Sequence, residues 1–235
     1  MKVPNSVCEK LLGVLIQNNF DWTSHVKKVT STVKSNLYLL KRIRPFLTQN
    51  ARKIFCNSYV HPHLDYLCTV WGNTTQENLR KLFQQQKHAA RLIYDDWDSN
   101  YSDLFSKLNW LPTDRLIVHN KLILVYKALH NMCSQYFAEM VQYQRNNVYN
   151  MRSMAQMKLS VPWPKCELFK KSFSYSGPHL WNQLPYDMCQ TGSLDEFKKL
   201  SLQHIMYHAW KYCWLLLAII SYLFYFISFI SSISF

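Results

Sequence analysis

Paired carboxylates are the first residues in this sequence whose types and spacing can do chemistry. Asp95 and Asp96 stand side by side after Tyr94, and polymerases hold two magnesium ions with paired carboxylates. Here the tyrosine adjoins the first aspartate, a basic stretch precedes it, and no apolar strand follows. We therefore interpret Asp95, Asp96 and Asp98 as a solvated loop between helices.

Two cysteines and two histidines form a second group: Cys56, His61, His63 and Cys68. Both residue types are zinc ligands in tetrahedral sites. A cysteine on a predicted helix followed by His-Pro-His matches none of the usual paired-ligand spacings, which favours buried thiols and hydrogen-bonded histidines. The sequence thus predicts no metal, no cofactor and no catalytic residue.

Glycine usage excludes further classes of enzyme. The chain has only four glycines, and they are isolated from one another. Neither a P-loop nor a dinucleotide-binding fingerprint exists, and no Gly-x-Ser-x-Gly elbow is present. Seven scattered cysteines without a secretory signal at Met1 favour a reducing compartment.

The charge balance favours a polyanionic partner. The chain has 27 Lys and Arg against 14 Asp and Glu, a net charge of +13, and neutralised phosphates release counterions that drive association. Much of the excess lies before residue 54, where Glu9 and Asp21 are the only carboxylates. A basic helix face is also a common solvated surface, and this alternative stays open.

Apolar periodicity predicts a mainly helical chain. A short apolar run at residues 10–16 is typical of a buried strand, without an obvious partner, so we expect the chain to start partway into a domain. Steps of three and four residues from Trp22 to Leu40 then predict a first helix. Further helices are predicted at residues 49–59, 74–93, 103–110, 114–129 and 193–205.

Residues 172–185 combine a predicted turn with large aromatic side chains. Glycine accepts positive φ and proline fixes its own φ, so Gly177 and Pro178 predict a turn. We expect Tyr175 and Trp181 to pack this stretch against the body of the protein.

The order Ser-Phe-x-Tyr-x-Gly-Pro-x-Leu-Trp-Asn-x-Leu-Pro in this stretch closely resembles the C-terminal part of the polymerase protein of non-LTR (LINE-type) retrotransposons. Other segments resemble the same family in the same order, although Leu67 replaces a usual cysteine and His88 a usual arginine. They are Leu12-Gly13-Val14 with Trp22 and His25, Pro62-His63-Leu64-Asp65-Tyr66 with Val70-Trp71, residues 86–93, and Ser193-Leu194 with Phe197-Lys198.

The resemblance covers residues 12–202 and implies the thumb and C-terminal region of a reverse transcriptase, which holds template and primer beside the catalytic palm. The palm and its metal-binding aspartates are expected upstream, so this chain alone is expected not to be a polymerase. The implied partners are RNA or an RNA–DNA hybrid and the palm domain of the parent polymerase. Candidate phosphate contacts are Lys27, Lys28, Lys34, Lys41, Arg42, Lys87 and Arg91.

Residues 212–235 carry no charge, glycine or proline. A helix of about 20 apolar residues spans a bilayer, and Trp210, Tyr212 and Trp214 are suited to its interface. The alternative function is therefore a tail-anchored membrane protein without enzymatic activity, with residues 214–235 in the membrane and the body cytoplasmic. The same segment is also explained if a decayed element is read past its original end into unrelated sequence. If the segment does not insert into a membrane, we expect a cytoplasmic or nuclear protein.

Together these features predict a mainly α fold: a helical thumb-like bundle with a short N-terminal strand, an irregular C-terminal segment and a hydrophobic C-terminal helix. The predicted organisation is the end of a palm-like strand region at 1–20 and a helical thumb-like region at 21–133. A polar connection with a C-terminal aromatic and helical region follows at 134–205, and a hydrophobic segment lies at 212–235.

Overall fold

The computed structural model describes residues 8–144 and 157–207, and it is mainly helical. An antiparallel hairpin comes first, formed by β1 (Cys8–Leu11) and β2 (Val14–Gln17). The helices that follow are α1 (Thr23–Ile43), a 3-10 turn (Arg44–Phe46), α2 (Gln49–Tyr59), α3 (His61–Asp65), α4 (Cys68–Trp71), α5 (Gln76–Tyr94), α6 (Tyr101–Leu108), α7 (Thr113–Leu129), α8 (Gln135–Met140), α9 (Glu167–Lys170), α10 (Phe173–Trp181) and α11 (Tyr186–Cys189). Residues 194–207 form a further helix, α12.

The prediction of one unpaired buried strand at residues 10–16 is wrong, because the chain reverses inside it. Leu12 and Gly13 have φ values of 47° and 85°, the left-handed conformation of a two-residue hairpin turn. Leu11 therefore pairs with Val14, and the strand finds its partner within the chain. Val14 is buried, whereas β1 is exposed along its whole length.

A first hydrophobic core lies between α1 and α5. Val33, Leu37 and Leu40 from α1 are buried together with Leu82 and Ile93 from α5. These positions recur at helical spacing, so the periodicity that predicts both helices also identifies their buried faces. The N-cap of α5 is Thr75, whose Oγ1 accepts from the Asn78 N–H at 3.4 Å, so the helix begins two residues after the predicted start at residue 74.

A second hydrophobic core lies between α7, α10 and α12. The ring of Phe197 stacks on Tyr126 and on Trp181, with centroid distances of 4.5 and 5.6 Å. Helix α7 contributes to both cores, because Ile117 packs in the first and Val125 in the second. The two cores thus share one helix.

The predicted turn at Gly177 and Pro178 is wrong, because both residues lie inside α10. A Cβ on Gly177 would stand 3.0 Å from Val125 Cγ2. The glycine therefore allows close approach of α10 to α7, and it does not supply the positive φ of a turn. Trp181 is buried as expected, whereas Tyr175 is half-buried and stacks on His179.

The polar connection predicted after residue 133 contains α8 and an isolated bridge between Tyr143 and Leu159. Its residues 145–156 and the hydrophobic segment 212–235 lie outside the described residues. Across residues 8–144 and 157–207, no helix combines the length and apolar character needed to cross a bilayer.

Candidate nucleic-acid interface

Three exposed lysines form a line along α1, which we call the lysine stripe: Lys27, Lys34 and Lys41. They are spaced seven residues apart, and seven residues are close to two helical turns, so the three side chains share one face. Lys27 and Lys41 lie about 21 Å apart along the helix axis. Tyr38, which is 64% exposed, lies on the same face between Lys34 and Lys41.

Helix α5 brings more positive charge next to the end of the stripe. Burial and the nearby charges of Lys41 and Arg91 lower the pKa of His88. His88 is therefore within electrostatic range of both cations, which come from different helices. Its ring also lies 5.7 Å from that of Trp97, which is 47% exposed. The result is a basic surface with exposed aromatic rings.

Arg91 itself is only half-exposed. Its Nε is buried and has no hydrogen-bond partner. The buried Nε is not accessible to a binding partner, so any phosphate contact of Arg91 has to come from the rest of its half-exposed side chain. Arg42 is exposed one residue beyond Lys41.

Two of the predicted phosphate contacts, Lys28 and Lys87, form contacts within the protein. Lys28 is exposed, but its Nζ donates to the Gly13 carbonyl of the hairpin turn at 3.2 Å. Lys87 lies over the rings of Phe83 and Tyr101, at 5.0 and 5.3 Å from their centroids, a cation–π arrangement between α5 and α6. Neither lysine belongs to the lysine stripe.

The carboxylates after α5 have local structural partners. Asp95 adopts a left-handed conformation at the C-cap of α5 and forms an ion pair with Arg44. Asp96 Oδ1 accepts from the backbone N–H groups of Asp98 and Ser99 at 3.1 and 2.9 Å, and hydrogen bonding from Ser99 lowers the pKa of Asp96. The pair thus closes the loop that follows the helix.

The cysteine and histidine group occupies structural positions. Cys56 and Cys68 are buried, and burial raises the pKa of the two thiols to about 12 and about 11. His61 packs edge-on against Trp110 with ring centroids 4.2 Å apart, while His63 is exposed. In the described part of the chain, no group of three or more His, Cys, Asp or Glu side chains is arranged to hold a metal ion.

Several residues from the motifs that carry the retrotransposon resemblance connect elements. Gln86 is fully buried, donates to the Leu111 carbonyl at 2.7 Å and accepts from the Thr113 hydroxyl at 3.0 Å. The Tyr66 hydroxyl donates to the Leu12 carbonyl at 2.9 Å, which ties α3 to the hairpin. These contacts hold α5 to the start of α7, and the residue after α3 to the hairpin.

Residues of this surface that the sequence analysis missed are Tyr38, His88 and Trp97. The seven-residue lysine spacing is visible in the sequence and places Tyr38 on the same face. Trp97 could not be assigned in that way, because its position next to His88 depends on how the loop after α5 folds back.

The described chain is therefore a mainly helical protein with one basic helix face and exposed aromatic side chains beside it. No protein-family model, characterised protein or solved structure matches the chain.

Proposed function

We propose that this chain binds the sugar–phosphate backbone of RNA or an RNA–DNA hybrid, as a catalytically incomplete, thumb-like part of a LINE-type RNA-directed DNA polymerase. The lysine stripe on α1 is the observation that carries the proposal. It offers three regularly spaced cations on a straight support, and phosphate contacts of this kind position a duplex without reading its sequence.

The dimensions of the stripe support a contact with one strand. A strand of B-form DNA has one phosphate per roughly 3.4 Å of axis. The stripe of about 21 Å therefore equals the axial rise over about six phosphates of one strand. Lys27, Lys34 and Lys41 are each able to pair with one of them.

The surface next to Lys41 supports a second kind of contact. Arg91 supplies a half-exposed basic side chain, and Trp97 supplies an exposed ring. Aromatic rings stack on unpaired bases with little regard to sequence. An unpaired strand end near Lys41 would meet both groups.

The test is binding of an RNA–DNA hybrid by the full chain and by a variant with Lys27→Gln, Lys34→Gln and Lys41→Gln, measured by filter binding over a series of salt concentrations. Loss of three phosphate contacts should reduce the slope of log affinity against log salt by about two to three. The affinity of the variant should also fall for every hybrid sequence alike.

The matched control removes the same charge from another part of the chain, through Lys165→Gln, Lys170→Gln and Lys199→Gln. These lysines are exposed and lie outside α1 and α5. The control should keep the wild-type slope. Equal slopes in both triple variants, or a wild-type affinity that does not change with salt, would contradict the proposal.

A further inference from the structure

An apolar cavity of about 480 Å³ is lined by none of the lysines of the lysine stripe. Its walls come from the segment before α1, from α4, and from α7 to α10, and most of the lining side chains are aromatic or aliphatic: Phe20, Trp22, Val70, Leu124, Phe137, Leu168, Phe169 and Phe173. Small-molecule sites are typically about 300 to 1,000 Å³, mostly apolar, with a few polar groups that orient the ligand. This cavity has the size and the lining of such a site.

One wall of the cavity is polar. Lys121 Nζ donates to Asn73 Oδ1 at 2.5 Å, and Asn73 Nδ2 donates to the Lys171 carbonyl. Asn73, Lys171 and Ser172 line the cavity. The Ser172 hydroxyl is buried and has no hydrogen-bond partner, so a ligand atom that accepts a hydrogen bond would satisfy it.

Lys121 places a positive charge behind this wall. The side chain is 4% exposed, and none of the ion pairs formed by the described residues includes it. Burial lowers the pKa of Lys121 to about 8. The Cys68 thiol does not serve as its counter-ion, because burial raises the pKa of Cys68 to about 11 and keeps the thiol neutral. A buried ammonium without a counter-ion favours the approach of an anion.

We infer that this cavity binds an amphipathic monocarboxylate, with the apolar body among Phe20, Trp22 and Leu124 and the carboxylate at the polar wall. The negative head complements Lys121 and the exposed Lys171, and it accepts from the Ser172 hydroxyl. A neutral ligand with the same body fills the cavity without neutralising Lys121. The inference is independent of nucleic-acid binding.

The test is calorimetric titration of the full chain with dodecanoate and, separately, dodecanol. Dodecanoate should bind, and Lys121→Met should weaken its binding about tenfold or more, as expected for loss of an interaction with a charged group. Dodecanol binding should stay within about twofold in the same variant. Lys127→Met is the matched control, because Lys127 lies six residues after Lys121 on another face of the same helix, away from the bond that Lys121 makes to Asn73.

The pH dependence gives a second readout. Lys121 loses its proton as the pH rises through about 8, so dodecanoate affinity should fall across that range while dodecanol affinity stays constant. The other titratable groups nearby are Cys166 in the cavity lining, Cys68 on α4, the exposed Lys171 and Asp65 on α3, whose carboxylate accepts from Asn120 at 2.5 Å.

Leu124→Trp is an independent variant that keeps Lys121, because the larger side chain occupies the cavity and should block both probes. No dodecanoate binding by the wild-type chain would overturn the inference. Equal affinities in Lys121→Met and Lys127→Met would also overturn it. Binding that survives Leu124→Trp would overturn it too, since that outcome assigns the probe to another part of the chain.

Discussion

Two polar side chains with buried polar atoms show how differently such groups are accommodated in this protein. The Gln86 amide both donates and accepts, to Leu111 and Thr113, so its burial is compensated. His61 Nε2 is buried without a partner, and the ring packs on Trp110. His61 is therefore held neutral, and acid should destabilise the fold by protonating this residue.

We expect folding stability to fall as the pH falls below 6.5 toward 4, in part because of His61. Burial lowers its pKa from 6.5 to about 4, so between these values the unfolded chain binds a proton that the folded chain does not. Relative to strongly acidic pH, this difference adds up to about 3 kcal/mol to the free energy of unfolding, and the whole amount is present above pH 6.5. Urea unfolding at several pH values measures it.

The variant for this measurement is His61→Phe, which keeps an aromatic ring against Trp110 but cannot titrate. It should lose less stability on acidification than the wild type. Some acid sensitivity should remain in the variant, because His25, His88 and His119 also have lowered pKa values. His63→Phe is the control, because His63 is exposed on the same helix. Identical pH profiles for the two variants would show that His61 is not the group involved.

Some of these residues could be identified from the sequence and others could not. Lys121 stands at helical spacing between the buried Ile117 and Val125, so the periodicity alone marks it as a lysine on an apolar face. The partner of Lys121 could not be foreseen, since Asn73 is 48 residues away. Contacts between distant segments depend on the whole fold.

At the scale of elements, the apolar periodicity predicted the long helices, while short signals were ambiguous. Gly177 and Pro178 are compatible with a turn, and also with a close approach between two helices. Here the contact of α10 with Val125 decides between them. Similarly, the apolar run at residues 10–16 contains a turn at Leu12 and Gly13 that the surrounding hydrophobicity conceals.

Trp181→Ala should lower the free energy of unfolding by about 3 to 5 kcal/mol, as a large-to-small change in a core. Trp181 is 1% exposed, stacks on Phe197, and donates from Nε1 to the Met157 carbonyl at 3.3 Å. Tyr175→Ala, in the same helix, removes a half-buried ring that stacks on His179. Chemical denaturation of both variants should show a clearly larger loss for Trp181, and similar losses would mean that α10 is loosely packed.

At the scale of the whole molecule, the basic helix face and the apolar cavity lie on different parts of one helical body. The sequence predicts the first from charge and spacing. It could not predict the second, because the lining residues run from Phe20 to Phe173 and meet only after folding. Residues 212–235 add a third feature, known from sequence alone.

The tail-anchor alternative makes its own prediction. If residues 212–235 insert into a bilayer, the expressed full chain should stay in the membrane pellet after carbonate extraction, because about 20 apolar residues suffice to span the hydrocarbon core. A variant with Leu216→Lys and Ile220→Lys should be released, since charges are unfavourable at that depth. Release of the wild-type chain would exclude the anchor.

Helix α7 makes the two cores one cooperative unit. Ile117 holds one core and Val125 the other, so opening either core exposes a face of the same helix. We therefore expect the amide protons in the middle of α7 to be among the slowest to exchange with solvent, because their exposure requires both cores to open.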